Sequence, residues 1–369
     1  MTESAKKLRD TYAIKRGAPV YMKEFGYYSL DRWISEGHIT CADDLRKYNI
    51  FDEPGGFGIG NLGGCDAPFV PDFEEEILED RGDHELVRDK AGRHVLYFKG
   101  RRNGFMPEYV DHPVKDMKTW EADCKWRMDP KSPQRLKMLE QSMKGAEAAM
   151  QKGLMITQYI VGGYMYLRSL IGPTELCLMF YDDPALIHEC MKAWFEVADF
   201  VMAKYQSEIV FDEILLDEDI CYNHGSLISP EMIEEFLLPY YKQLIDNVKA
   251  RQRSSGRHLY VQVATDGYCP PVIPIYEKIG LEVMCPFEAA SNNDVVEIGR
   301  KYPNLVISGG MDKRVIAAGK GPIDRMVDAI MPAMKERGGY IPTCDHGVPE
   351  EVAFEDFIHF RKRLLEYSR

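Results

Sequence analysis

The chain has 369 residues, 45% of them hydrophobic, and 46 basic against 59 acidic side chains, a formal net charge of −13. With no clustered Lys and Arg run, this balance speaks against a nucleic-acid binder, and no apolar stretch approaches the ~18 residues needed to span a bilayer. The opening "MTESAKKLRDTYAIKRG" lacks an apolar leader core, and the nine cysteines show no paired spacing, so a cytoplasmic protein with reduced thiols is expected.

In chain order, "GAPVYMKEFG" reads as a first strand. "GIGNLG" at 58–63 matches a G-x-G-x-x-G pattern, but no strand precedes it and no helix follows. It reads as a glycine-rich loop, and no nucleotide cofactor is expected. Residues 72–100 alternate apolar and polar, with turn signals at Arg81-Gly82-Asp83 and Lys90-Ala91-Gly92, which predicts an antiparallel meander.

From about residue 130 strands and helices alternate. Helices are expected over 132–153, 182–208, 229–252, 270–280, 292–303, 321–338 and 349–369. Strands are expected at "LMITQYIVGG", "IVFDEILLDED", "HLYVQVATDG", "LEVMCPFE", "NLVISGGMDK" and "GYIPTCDHG". Such alternation implies a parallel sheet. With one further strand somewhere in 46–110, the fold class is α/β, a (β/α)8 TIM-type barrel with an N-terminal extension and a small antiparallel insertion at about 66–128, all in one domain; a doubly wound sheet is the competing fold.

In both folds the chemistry gathers at the C-terminal strand ends. These ends carry Lys23, Glu24, Tyr27 and Tyr28; Tyr159; Asp217, Glu218 and Asp219; Thr265, Asp266 and Gly267; Glu288; Asp312, Lys313 and Arg314; and Cys344, Asp345 and His346. The acidic trio at 217–219 suits metal binding, paired carboxylates or a solvated loop. Arg314 reads as internally paired. Cys344 reads as packed or pocket-lining, Asp345 as a turn residue, and His346 as an acid–base group or ligand.

Taken together, "APVYMKEFGYYSLDRW", "LISPEMIEEFLLPYYKQL", "PFEAASNNDVVEIGRKYP", "ISGGMDKR" and "GGYIPTCDHGVPEEV" resemble the uroporphyrinogen decarboxylase superfamily over nearly the whole chain. The resemblance implies a barrel whose site lies at the strand ends. It implies one of two chemistries: cofactor-free decarboxylation, or methyl transfer involving a thiol or a corrinoid. The decarboxylase motif R-Q-A-G-R-Y falls on Lys23 to Tyr28, where both arginines are replaced and Glu24 adds negative charge. The zinc ligands of the thiol methyltransferases fall on Ala264, Asp266 and His346.

The chain most resembles the branch with S/T-D-G and D-H-x-V-P motifs. That likeness implies a methyltransferase moving a methyl group from a small methylated substrate, such as a methoxyaromatic, to a corrinoid. No D-x-H-x-x-G motif is present, so the corrinoid would arrive on a partner protein. Asp266 and His346 are then the catalytic residues, with or without zinc bound to both. Glu24, Tyr27, Tyr28, Asp219, Glu288 and Cys344 are the expected substrate contacts, and an oligomer is allowed. The alternative is a decarboxylase in which Lys23 or Arg314 holds a carboxylate and His346 or Asp266 donates a proton. A non-catalytic ligand-binding barrel is the third reading.

Overall fold

The computed structural model describes residues 1–100 and 107–368. Residues 101–106, inside the expected insertion, and Arg369, at the end of the expected last helix, lie outside the described residues. The strands are β1 (Gly56–Leu62), β2 (Glu76–Asp80), β3 (His84–Arg88), β4 (His94–Phe98), β5 (Glu108–Asp111), β6 (Met155–Val161), β7 (Glu213–Asp217), β8 (Cys221–Tyr222), β9 (Gly225–Ser226), β10 (Tyr260–Ala264), β11 (Leu281–Phe287), β12 (Val306–Gly309) and β13 (Tyr340–Ile341).

Seven of them form a parallel sheet in the order β1-β6-β7-β10-β11-β12-β13. Only crossovers of one hand produce such an unbroken sequence of neighbours. In a flat sheet β6 and β13 would stand roughly 24 Å apart. Yet Met155 of β6 and Ile341 of β13 share one buried cluster with Val283 of β11, Val306 of β12 and Tyr21. The sheet is therefore curled, with these side chains on its concave face. Their neighbours Ile156, Ile214, Met284 and Ile307 point outward and pack under the surrounding helices.

The expected first strand is a correction. Residues 19–26 are extended but take no regular strand, because their hydrogen bonds are mixed. Tyr27 bridges Val348 in parallel, and Val348 N donates to Gly26 O at 2.8 Å. On the other side, Asp52 N donates to Met22 O at 2.9 Å and Met22 N to the Asp52 carboxylate at 2.7 Å. The segment thus fills the gap between the continuation of β13 and the approach to β1. Glu24 fastens it: the buried carboxylate pairs with Arg361 Nη1 at 3.1 Å and accepts from Cys344 N at 2.8 Å.

A second correction concerns the glycine-rich stretch, which is the missing strand β1 and not a loop. Its Ile59 and Leu62 face the outer core, while Gly58 faces inward. A Cβ at Gly58 would lie 2.1 Å from the Tyr159 ring, so the glycine makes room for an aromatic of the next strand. A strand whose inner face has no side chains lacks the alternation by which strands are read.

The N-terminal extension is the helix Glu3–Tyr12, N-capped by Thr2. It covers the closed end of the sheet: Leu8 and Tyr12 join the inner cluster, Arg9 forks onto Asp212 at 2.7 and 3.2 Å, and Tyr12 donates to Glu213 at 2.7 Å. The meander is present as an antiparallel sheet β2-β3-β4-β5, tied down by Arg93 bridging Asp89 and Asp66 at 2.7 Å each. Two helices absent from the sequence reading, Gly163–Ile171 and Pro173–Asp182, follow β6. The first is buried on nearly every side and so lacks the polar face from which a helix is read. Among the described residues no helix is long and apolar enough to cross a membrane.

Removing one member of the buried pair leaves the other charge without compensation. Arg361→Met is expected to lower stability by about 3–5 kcal/mol, and Arg361→Met with Glu24→Leu to recover most of it. Urea denaturation followed by circular dichroism measures both.

Candidate active site

The C-terminal ends of the parallel strands bring Asp266 and His346 together from β10 and the continuation of β13. His346 Nε2 lies 3.4 Å from Asp266 Oδ2, at the long end of hydrogen-bonding distance. Both side chains are partly open to solvent, at 22% and 41%. The Asp266 carboxylate is the main reason that the imidazole holds its proton above the usual 6.5, against the opposing effect of burial. Tyr28 stacks on the imidazole (5.7 Å between centroids, 16°), and Phe25 leans on it at 5.2 Å.

Local geometry explains why Asp266 reaches the mouth. Gly267 turns the chain with φ +77, and a Cβ there would stand 2.8 Å from the backbone of Cys221 and Tyr222. The Gly267 amide donates to Glu288 Oε2 at 3.0 Å. The other Glu288 oxygen takes Lys313 Nζ at 2.9 Å. Asp345 is fully buried and accepts from Ala289 N at 2.9 Å and Lys313 N at 3.0 Å, so it ties three strand ends to one another. It is a brace beneath the mouth, next to the residue that does face it.

Other expected contacts fall elsewhere. Tyr27 packs against Trp33 and Phe357, because consecutive residues of an extended stretch face opposite ways and Tyr28 takes the mouth. Glu24 is held in the Arg361 pair. Cys344 is 0% exposed in the outer core, where burial pushes its thiol well above the ordinary range. None of these three presents its functional group to the Asp266–His346 pair. Asp219 does stand at the rim, with φ +42 and an ion pair to Arg168 at 2.7 Å. Arg314 is taken by Asp312 at 2.7 Å.

Phe25 and Arg168, which the sequence reading did not name, belong to the site, together with Tyr159 and Asp217 from the strand ends it did name. Phe25 and Arg168 are described above; Arg168 is the one charge in the apolar "GYMYLRSLI", the signal that could have found it. Tyr159 is 42% exposed in the middle of an otherwise almost wholly buried strand. Asp217 is pushed up to about 6 by burial and by the neighbouring Asp219 and Asp266.

Zinc would need three or four donors. Asp266 and His346 supply two and are paired with each other, Cys344 is buried away, and among the described residues no group of three or more His, Cys, Asp and Glu gathers. The donor set does not fit a resident zinc ion, and no step is derived through one.

Asp266→Asn removes the main cause of the raised imidazole pKa. The His346 titration, followed by proton NMR, should move down toward 6.5 in that variant. In the native chain the interaction adds stability at pH values below the unfolded pKa, and the gain fades as pH rises through the folded value.

The profile of the uroporphyrinogen decarboxylase (URO-D) family matches residues 101–367. The uroporphyrinogen decarboxylase of Geobacter metallireducens is 28% identical over 138 residues, 37% of this chain and 37% of that one. The chloroplastic enzyme of Nicotiana tabacum is 24% identical over 189 residues, 51% of this chain and 44% of that one. The chain thus spans about half or less of these two relatives. In overall fold it is similar to a methyltransferase from Methanosarcina mazei, with a TM-score of 0.62, 11% identity and 99% of both chains covered. With the family match extending over more than half of its length, this chain belongs to the uroporphyrinogen decarboxylase family.

Proposed function

We propose that this chain is a methyltransferase that takes a methyl group from a small methylated substrate and delivers it to a corrinoid carried by a separate partner protein. The observation that carries the reading is the Asp266–His346 pair, a proton donor held under the aromatic face of Tyr28 at an acidic mouth. The corrinoid, when its carrier docks, supplies the nucleophile.

The chain's own residues do the rest. Tyr28 and Phe25 exclude water from one side of His346 and offer flat apolar contact to the substrate. His346, kept protonated by Asp266 beside Nε2, gives a ring proton to the heteroatom that loses the methyl group. The electron pair of the broken bond stays on that heteroatom. Leaving-group protonation of this kind contributes about 10²–10⁴-fold.

Decarboxylation of a polycarboxylate has less support. Such a substrate needs free cations, and three at the strand ends, Arg168, Lys313 and Arg314, are already paired with Asp219, Glu288 and Asp312. Asp217 and Asp266 add further negative charge to the mouth.

The test is loss of methyl signal from methoxyaromatics and methylamines, followed by proton NMR, with added cob(I)alamin. His346→Gln should slow it about 10²–10⁴-fold. In the native enzyme the rate should fall as pH rises through the raised His346 pKa. No loss of methyl from any donor, or carbon dioxide release in its place, would end this reading.

A further inference from the structure

Every residue of β6 is buried except Tyr159. Its ring faces the lumen. Thr157, two positions earlier on the same strand, bonds at 2.7 Å to Glu213, which Tyr12 of the inner cluster also holds. From β6 the ring leans across β1. A Cβ at Gly58 would lie 2.1 Å from its Cε2 and 3.0 Å from its Cδ2. One edge of the ring therefore rests on bare backbone, and 42% of the residue stays open to the space above.

That space is bounded by Gly60, the next inward position of β1. Its two neighbours turn outward. Ile59 joins the outer core, and Asn61 bonds to Tyr205 at 2.7 Å and to Gln158 at 3.3 Å. Gly60 itself is exposed, and a Cβ there would meet nothing within 4 Å. Its φ lies outside the left-handed region, so the backbone does not demand glycine. Round the mouth, the segment carrying Phe25 and Tyr28 flanks β1 on one side, joined to its approach by Asp52 N donating to Met22 O at 2.9 Å. β6 flanks it on the other. Gly60 thus lies between the two rings at His346 and the ring of Tyr159.

Glycine in a strand marks a bulge or a place where another group approaches the backbone closely. The register of β1 shifts between Ile59 and Leu62, so a bulge is the competing cause. A bulge does not account for the open tyrosine beside it. We propose that Gly60 and Tyr159 are specificity-determining residues of the mouth, holding the flat ring of an aryl methyl ether with its methoxy oxygen turned toward His346. Bare backbone lets a thin ring lie against the wall, and the Tyr159 ring offers it an aromatic partner. This rests on the methyl-transfer reading above and narrows its substrate to aromatic ethers.

Proton NMR titration of the full chain, without a methyl acceptor, tests it with two probes of equal carbon count. These are anisole, which is flat, and cyclohexyl methyl ether, which is puckered. Anisole should bind about tenfold tighter. Gly60→Leu should bring anisole down to the level of the puckered ether, with a melting temperature within about 2 °C of native. Gly60→Ala should fall between the two, and Tyr159→Leu should abolish the preference for the flat ring; these two decide the matter if the leucine variant does not fold. Equal binding of the two ethers by the native chain, no binding of either, or an intact preference in the Gly60 variants would overturn the proposal. A Gly60 that serves only the bulge would show itself as lost stability with the preference intact. Because no acceptor is present, failed methyl transfer leaves a positive result standing. Conversely, demethylation of methylamine as fast as of anisole would remove this specificity and keep the methyl transfer.

Discussion

A single buried ion pair closes the molecule. Glu24 sits on the irregular N-terminal segment and Arg361 on the final helix, Phe354–Leu365, and neither side chain is more than 2% exposed. Charges taken so far from water are tolerated only when their other hydrogen-bonding positions are also filled. Here Cys344 N and Phe25 N serve Glu24, and the carbonyls of Pro342 and Ile50 serve Arg361, whose Nε alone is left without a partner among the described residues. The pair therefore joins the segment before β1, the end of β13 and the last helix at one point. Phe25 and Tyr28 reach His346 because Glu24, between them and the core, is pinned there.

From that seam the electrostatics of the mouth follow. The strand ends supply more acids than bases, and Arg168, Lys313 and Arg314 are each bound to an acid. The remaining negative charge repels polyanions and raises the proton affinity of His346. One imidazole, one nearby carboxylate and two aromatic rings then make a site suited to proton donation in a sheltered spot.

Much of this was legible beforehand. The alternation of helices and strands and the meander came from short-range pattern; Asp266 and His346 were singled out by the family resemblance, and the structure places those two side chains together. The first strand and the glycine-rich stretch were misread for one reason. Residues 19–26 are held by mixed backbone and side-chain bonds, and Gly58 serves a ring on another strand, so neither leaves a local period. Glu24, Tyr27 and Cys344 sit at strand ends in sequence, yet their functional groups turn into the core, a matter of one residue's alternation that proximity in the chain does not reveal.

By itself the sequence determined the α/β class, the parallel order of the sheet and the chemical types gathered at its ends, because helical and strand periodicities are local properties of the chain. Tertiary structure alone decided which of those end residues see one another. Arg361 meets Glu24 across 337 positions, and His346 meets Asp266 from a different strand end. Pairing across such separations depends on the curl of the sheet, and no period in the sequence encodes it.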